Sequence, residues 1–406
     1  MYKILLTSAF TLAASSAAHA DFINDRDISI TARNIYFDRD FRQPGAPQSQ
    51  RREWAQGLML KLNSGYTAGT IGFGLDIYAA SGIKLDSSNG RAGTGLLANT
   101  PGNSGPATYS DLSGVVKTRL SKTEVKVGGF TPRSPVLLSS DVRLLPPLFN
   151  GITLLSKDID KWTIDAGQFE SVNYRNSSSN HDDFIAANYG ATSDRFRYWG
   201  IDYAAQKNLT ASLWRAELQD IYQQNFAGVQ LSHALDNLRL AANVGYFISS
   251  ETGSQRAGSI DNRLLSTLLS ASYRGQGLKF GYQGNQGRSP FPFLQDADPN
   301  TANAVQILDF TRAQERSWQA RYDLDLGIFG LQGLNFFSRY VRGSGYEVGG
   351  QGGKEWERDI DLSYVVQSGP AKGLALRWRN AMVRSDTSLG DINENRLMLM
   401  YTLPLR

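Results

Sequence analysis

Basic side chains recur two positions apart in several segments of the chain. Lys117 and Arg119 stand in "VVKTRL", and Arg377 and Arg379 stand in "LALRWRN". An arginine guanidinium pairs with a carboxylate through two parallel hydrogen bonds. A row of such cations selects anions, and several weak sites in series let an anion leave as well as bind. If alternate residues share one face, this spacing predicts a surface that handles small anions.

A simpler interpretation holds for any single cation, which can form an ordinary ion pair with an aspartate. The aspartates available for such pairs are Asp76, Asp165, Asp323, Asp325, Asp359 and Asp361. Three further aspartates, Asp141, Asp296 and Asp298, are candidates to hold an ammonium or a hydroxyl group. Acids and bases together would suit an amino acid, whereas dominant arginines would suit a simple carboxylate.

Catalytic chemistry has little support in the sequence. Cysteine is absent, which excludes thiolate nucleophiles, disulfides and cysteine-based metal sites. His181 lies in a Ser- and Asp-rich stretch and His233 next to a turn, so the two histidines share no site and have no metal-ligand spacing. We expect no enzyme activity, no metal and no cofactor.

The elements that must position these cations alternate with period two. "TIGFGLDIYAA" places Ile71, Phe73 and Leu75 on one face, and "SWQARYDLDL" places Trp318 and Ala320 opposite its charged residues. Successive side chains of a β-strand point to opposite faces, so each segment has an apolar and a polar face. A soluble β-sandwich would bury the apolar faces, whereas a membrane barrel would turn them towards lipid.

Connection lengths favour the barrel, because short and long connections alternate along the chain. This is typical of outer-membrane barrels, which have short periplasmic turns and long external loops. We predict long loops at 38–51, 80–108, 131–150, 174–195, 250–262, 286–316, 344–356 and 385–394, with a short member near 219–221. The strand-like segment 183–190 is assigned to an external loop to preserve this alternation. The prediction is an all-β transmembrane antiparallel β-barrel of eighteen strands with both ends in the periplasm.

The loop "TPRSPVLLSSDVRLLPPLFNG" is unusually stiff and apolar. Four prolines fix the backbone on both sides of a polar segment, and a cluster of leucines supplies anchors. We predict that this third external loop folds into the lumen, so that Ser139, Ser140, Asp141 and Arg143 line its narrow point. A lid over the mouth is the alternative.

The amino terminus predicts a secretory signal peptide. Lys3 is followed by a short apolar run and by Ala18-His19-Ala20, a small-x-small cleavage pattern. We therefore divide the chain into a signal peptide, 1–20, and a barrel, 21–406. The run is shorter than the about 20 apolar residues of a membrane-spanning helix.

The sequence resembles the OprD-type outer-membrane carboxylate channels of Gram-negative bacteria over essentially the whole mature chain. The resemblance rests on "ARNIYFDRDF", "RREWAQGLML", "GTIGFGLD", "GIKLDSSNGRAGTGLL", "SKTEVKVGG", "SPVLLSSDVRLLPPLFNG" and "ERSWQARYD". It implies an eighteen-stranded, substrate-selective porin with a constricting third loop, inward rows of Arg and Lys, and uptake of small carboxylate-bearing nutrients.

Taken together, these patterns predict passive uptake of carboxylates across the outer membrane, with aromatic or other monocarboxylates favoured. A channel for basic amino acids or peptides, or an adhesin or receptor barrel, is the alternative. The expected partners are carboxylate solutes, outer-membrane lipid and lipopolysaccharide, with the chain as a monomer or loose trimer; the formal net charge of +4 gives no indication of nucleic acid. The predicted substrate-binding residues are Arg33, Lys117, Arg119, Lys126, Asp141, Arg143, Arg239, Asp296, Arg321, Arg339, Arg377 and Arg379.

Overall fold

Strands make up most of the chain in the computed structural model, which describes residue 22 and residues 25–46, 48–98 and 105–405. The predicted signal peptide lies outside these residues. Within them, the strands of the main sheet are β1 (Asp27–Phe41), β2 (Gln50–Asn63), β3 (Ile71–Asp86), β4 (Thr108–Leu120), β5 (Thr123–Phe130), β8 (Leu148–Ser156), β9 (Trp162–Asn173), β12 (Phe196–Gln206), β13 (Leu209–Leu218), β14 (Tyr222–Leu235), β15 (Leu238–Glu251), β16 (Asp261–Tyr273), β17 (Gln276–Gly287), β20 (Arg316–Asp325), β21 (Leu334–Val348), β22 (Gln351–Val365), β23 (Ala375–Ser385) and β24 (Ile392–Pro404).

Short elements lie between these strands. They are β6 (Arg133–Ser134), β7 (Leu137–Ser139), β10 (Phe184–Ala187), β11 (Thr192–Ser193), β18 (Phe293–Leu294), β19 (Ala297–Asp298) and one 3₁₀ turn, Leu326–Phe329. No helix among the described residues has the length and apolar character needed to cross a membrane.

The main sheet closes on itself. Each strand pairs antiparallel with its neighbours along the chain, and the first strand also pairs with the last, with Ala32 opposite Leu58 on β2 and opposite Tyr401 on β24. In the described part of the chain this gives a closed barrel of 18 strands, which confirms the predicted fold. Closure leaves no unpaired strand edge, as a structure in hydrocarbon requires.

Along the strands, most apolar side chains face the outside of this barrel and most polar ones face the inside, and the interior apolar clusters lie where loops pack on the wall. Phe73 and Leu278 are 52% and 63% exposed, whereas the inward Gln283 is fully buried. This inversion of the usual globular pattern follows from the solvent, because lipid solvates the outer face and the strands need no apolar interior.

The longest predicted external loops are confirmed at 87–107, 131–147, 174–195 and 288–315, whereas the other connections differ less in length between the two ends of the barrel. The predicted long loop 344–356 is instead a hairpin: β21 and β22 continue to Val348 and Gln351 and are joined by Gly349 and Gly350, both at positive φ. Two consecutive residues with positive φ form the tight turn that suits the twist of paired strands. The segment 183–190 lies outside the main sheet, since β10 pairs with β11 and β18.

Four external loops contribute residues to the interior of the barrel. They are loop 2 (87–107), loop 3 (131–147), loop 4 (174–195) and loop 7 (288–315), numbered in order from the amino terminus.

Candidate functional site

Loop 3 lies inside the barrel, packed on the wall formed by β1 and β2. Leu144 and Leu145 are buried with Ile35, Leu96 and Leu97 in one apolar cluster. Gly57 on β2 makes this close approach possible, because a Cβ there would lie 3.1 Å from Leu144 Cγ. The leucines of loop 3 therefore anchor it to the wall, as the sequence predicts.

The polar segment of loop 3 is fixed by hydrogen bonds. Arg33 donates to both carboxylate oxygens of Asp141, at 2.6 and 3.1 Å, and to the carbonyl oxygen of Arg143 at 2.8 Å. Arg143 Nε donates to the carbonyl of Thr94 in loop 2 at 3.0 Å. The backbone N–H of Thr94 in turn donates to the buried carboxylate of Glu53 at 2.9 Å. Loop 2 thus connects loop 3 to Glu53 on the β2 wall and holds its polar segment in place.

Loops 4 and 7 also belong to this inward assembly. Ser139 on β7 pairs with Ala297 on β19, and the backbone N–H of Ser140 donates to the carbonyl of Asp296 at 3.0 Å. Arg175 of loop 4 forms a 2.6 Å ion pair with Asp296. The sequence predicts only loop 3 in the lumen, whereas the structure places parts of four loops there.

Loop 7 is also attached to the opposite wall. The carboxylate of Glu357 on β22 accepts hydrogen bonds from the backbone N–H groups of Ile307 at 2.9 Å and Leu308 at 2.7 Å. Gln306 Nε2 donates to Glu394 Oε1 on β24 at 2.9 Å. Loop 7 consequently bridges from loop 3 to the wall of β22 and β24.

Aromatic side chains fill the part of the interior next to β5–β14. Phe149, Phe169, Phe184 and Phe196 are each at most 1% exposed and lie in one cluster with Tyr198. The rings of Phe149 and Phe184 stack with centroids 6.2 Å apart. This side of the lumen is packed, so the open space lies against β20–β24.

A chamber of about 580 Å³ occupies that space between loops 3, 4 and 7 and the wall. Its basic lining consists of Arg143 and Arg175 on the loops and Arg321, Arg339, Arg377, Arg379 and Arg396 on the strands. Asp296, Asp298 and Asp309 of loop 7 also line it. The chamber therefore presents both signs of charge, with arginines in excess.

The arginines of the wall are held by inward carboxylates on the same strand or on a neighbouring strand. Arg339 Nε donates to Asp359 at 2.9 Å, and Arg321 Nε donates to Asp323 at 3.0 Å. A single carboxylate, that of Asp361, serves both Arg377 and Arg379, at 2.7 and 3.2 Å. Two cations on one anion leave a positive charge at this point of the wall.

Arg143 on the loop side has no carboxylate within ion-pair distance among the described residues; its guanidinium donates only to backbone carbonyls, those of Thr94 and Val142. Burial, and then the cationic neighbours Arg396 and Arg175, lower the pKa of Arg143 well below its ordinary value. An anion beside this guanidinium would relieve that unfavourable environment.

The acids of loop 7 differ from one another. Asp296 is occupied by Arg175 and by a backbone N–H at 2.9 Å. Asp298 and Asp309 have no cationic partner in the described ranges. Burial, and then the nearby carboxylates of Asp298 and Glu355, raise the pKa of Asp309 to about 7. Near neutral pH, Asp309 can therefore accept or donate a hydrogen bond.

The chamber adjoins a cavity on each side. An outer cavity of about 550 Å³ shares Ile307 and Asp309 with it. A cavity of about 680 Å³ towards the short turns shares Arg321, Phe337 and Arg377 and adds Arg239 and Lys279. The three cavities adjoin in series and outline a route along the inner wall.

The structure brings only some of the predicted substrate-binding residues to this route. Arg143, Arg239, Asp296, Arg321, Arg339, Arg377 and Arg379 line it. The others lie elsewhere. Arg33 and Asp141 pair with each other, Lys117 pairs with Asp76 and Lys126 with Glu124, each at 2.6 Å, and Arg119 stacks on the Tyr66 ring at 4.2 Å.

Two arginines of the chamber lining, Arg175 and Arg396, are missing from the sequence prediction. Arg396 alternates with the outward Leu397 and Leu399, so the period-two pattern of the last strand contains the signal for its inward position. Arg175 lies in a loop without periodicity, and no local pattern identifies it.

A family comparison agrees with this architecture. The outer membrane porin family OprD matches residues 20–405. This chain belongs to the OprD family. Members of the family are channels of the Gram-negative outer membrane, which is where this porin resides, and its barrel is that of a substrate-specific porin. Among the described residues, no cluster of three or more acidic or histidine side chains suits a metal ion.

Named relatives cover nearly the whole OprD-family chain. Porin-like protein GalP of Pseudomonas putida is 36% identical over 406 residues, 98% of each chain. The crystal structure of Pseudomonas aeruginosa OccK9 (OpdG) is 43% identical, with a TM-score of 0.92 over 95% of this chain and 100% of that one. Pseudomonas aeruginosa OpdK, solved with vanillate, is 35% identical, with a TM-score of 0.89 over 94% and 100% of the two chains.

Proposed function

We propose that this porin mediates passive uptake of small carboxylate-bearing nutrients, with aromatic and other monocarboxylates favoured. Loop 3, joined to loops 2, 4 and 7, sets the narrowest point. The observation that carries the proposal is the chamber, where Arg143 has no counter-ion among the described residues and Arg377 and Arg379 share one carboxylate. An anionic solute supplies the charge that these groups lack.

Selectivity arises from several weak interactions rather than one tight site. A carboxylate meets the guanidinium of Arg143 and then those of Arg379 and Arg377, before it reaches Arg239 and Lys279 in the lower cavity. The ion pairs already present on the wall limit the strength of each contact, so the solute can leave as well as bind. Low-dielectric walls raise the local concentration of anions.

An aromatic ring suits the remainder of the chamber lining. Leu138, Val142, Val305, Ile307 and Phe337 contribute apolar surface next to the arginines. The vanillate bound to OpdK, a relative of the same fold, combines these two features in one molecule. A small amphipathic acid therefore matches the chamber better than a sugar does.

A second candidate substrate class is a carboxylate that also carries a donor, such as an amino acid. The observation in its favour is the pair Asp298 and Asp309, which have no cationic partner among the described residues and line the same chamber as the arginines. An ammonium or hydroxyl group on the solute would satisfy these carboxyl groups.

Liposome swelling separates these possibilities. Purified porin is reconstituted and tested with benzoate, vanillate, arginine and a neutral sugar of similar size. We expect the aromatic carboxylates to permeate fastest and the sugar slowest. Faster uptake of arginine than of benzoate would establish the second candidate, and equal rates for all four solutes would refute selective carboxylate uptake.

Three further proposals concern export, membrane contacts and oligomeric state. Residues 1–20 act as the signal peptide, and the barrel contacts outer-membrane lipid and lipopolysaccharide. The porin functions as a monomer or loose trimer.

A further inference from the structure

The membrane-facing side of β20–β23 carries cations at its outer end. Five basic residues lie two positions from outward aromatic or apolar residues and share their outward face: Arg316, Arg342, Lys354, Arg358 and Arg384. We call these five residues the outer arginine patch. Charge on the lipid face of a barrel is unfavourable at the midplane and is tolerated only near an interface.

Strand register places the patch in a compact checkerboard. Arg342 is directly opposite Trp318 on one neighbouring strand and Trp356 on the other, and Trp356 is opposite Arg384. One row further in, Tyr340 is opposite Arg358. Side chains directly opposite on paired strands lie about 5 Å apart, and diagonal neighbours about 7–8 Å. The cations are therefore close enough for one phosphorylated group to contact several.

The aromatic members of the checkerboard locate it at the membrane boundary. The rings of Trp318, Tyr340 and Trp356 lie side by side, with successive centroids 5.7 Å apart. Such rings form the girdles at which the apolar band of a barrel ends. The patch is at the end of the strands that carries the external loops, so its cations lie at the level of the outer-leaflet headgroups.

Most of this positive charge is not neutralised by the protein. Arg384 has a carboxylate partner, Asp391, at 3.4 Å, and Arg358 donates to Asn380 at 2.6 Å. Arg316 and Arg342 are exposed and have no hydrogen-bond or ion-pair partner in the described part of the chain. Free guanidinium groups at this level are suited to phosphate, which they bind in a bidentate manner.

The other end of the same strands provides the contrast. The outward residues there include Phe336, Leu362, Tyr364, Leu376 and Trp378, and no basic side chain faces outwards on β20–β23 in this region of the described structure. A charge difference between the two ends matches a membrane whose outer leaflet is the more densely phosphorylated.

We propose that the outer arginine patch binds the phosphate groups of lipopolysaccharide in the outer leaflet, with the aromatic rings beneath them contacting the sugar and the start of the acyl chains. The site faces away from the lumen, so it is independent of the proposed carboxylate route.

Native mass spectrometry of the detergent-purified porin with rough-type lipopolysaccharide tests this site. We expect Arg316→Gln combined with Arg342→Gln to weaken binding about thirtyfold, the effect of losing two charges at an anionic lipid surface. Lipopolysaccharide whose lipid A has been dephosphorylated should bind the wild-type and variant porins alike. Inorganic phosphate alone should not bind measurably, because the sugar and acyl contacts are absent.

A matched control removes two exposed cations from the opposite end of the barrel that line none of the three cavities, Lys207→Gln with Lys372→Gln. The control should retain wild-type binding, and Arg342→Lys should lose part of it, since lysine keeps the charge but not the bidentate geometry. The proposal is overturned if the double variant of the patch binds lipopolysaccharide as tightly as the wild type does, or if the control loses as much affinity as the patch variant. It is also overturned if the wild type binds dephosphorylated and intact lipopolysaccharide equally tightly. Single-channel conductance should be unchanged in both double variants, which confirms folding and separates this site from the lumen.

Discussion

Glu357 on β22 holds Leu308 of loop 7 against the barrel wall, with the backbone N–H of Leu308 donating to its carboxylate at 2.7 Å. The same carboxylate accepts from the N–H of Ile307. Because Glu357 is fully buried, these bonds are shielded from water. The position of loop 7, and with it one side of the chamber, depends on this contact.

Glu357→Gln should therefore loosen loop 7. The amide has only one acceptor oxygen for two N–H groups, so a buried donor loses its partner, at a cost of about 1–3 kcal/mol. We expect frequent conductance steps in planar-bilayer recordings, where the wild type should give a steady current. The control is Glu170→Gln on the exposed outer face of β9. If Glu357→Gln and Glu170→Gln behave alike, the contact does not set the loop position.

Arg377→Ala with Arg379→Ala should lower carboxylate uptake by roughly tenfold, at the lower end of what electrostatic focusing contributes, and weaken anion preference. The change removes both cations that share Asp361 and leaves that carboxylate without them in the wall of the adjoining cavity towards the short turns. The measurement is the reversal potential in a salt gradient together with swelling rates in benzoate.

A control for that pair exists in the lumen itself. Arg119→Ala with Lys126→Ala also removes two inward cations, but neither lines the chamber or its neighbouring cavities. We expect near wild-type selectivity from this control. Equal effects of the two double variants would show that overall lumen charge, rather than the chamber, determines selectivity.

Gly57→Val should displace loop 3. A branched side chain there would collide with Leu144, whose Cγ lies 3.1 Å from the position of a Cβ, and overpacking of this kind costs about 1–3 kcal/mol. We expect higher single-channel conductance, approaching that of a deletion of residues 134–145. Gly114→Val on β4 is the matched control, since a Cβ there meets nothing within 4 Å. Unchanged conductance in Gly57→Val and in the deletion would mean that loop 3 does not limit the current.

Anion preference should rise as the pH falls from 8 to 5.5. Above its pKa of about 7, Asp309 is negatively charged and opposes anions in the chamber; below it the carboxyl group is neutral. Reversal potentials at the two pH values measure the change. Asp309→Asn removes this titration and should show high anion preference at both values. A pH response that persists in Asp309→Asn would assign it to another group.

The barrel follows from the sequence because strand alternation is local. Each outward apolar stripe, such as that of Phe73 and Leu75, is visible in a few residues, and the prolines of loop 3 mark it as exceptional. The hairpin at Gly349 and Gly350 does not follow in this way, because its glycines interrupt the alternation.

The chamber is less accessible to prediction, because its parts are distant in the sequence. The pairing of Ser139 with Ala297 and the ion pair of Arg175 with Asp296 have no local pattern. Lys117 has the spacing of a solute-binding row and Arg33 is also predicted to bind solute, yet their carboxylate partners occupy both. The period-two pattern predicts whether a cation faces the lumen or the lipid. The positions of the folded loops determine whether an inward cation lines the chamber.

The contact between Ala32 and Tyr401 has a consequence for biogenesis. The barrel is closed by the pairing of its first and last strands. The ribosome must therefore finish the last strand before the barrel can close. A shortened chain would have two unpaired strand edges, whose backbone N–H and C=O groups find no hydrogen-bond partner in hydrocarbon. Membrane insertion of this chain is therefore an event that follows translation rather than accompanying it.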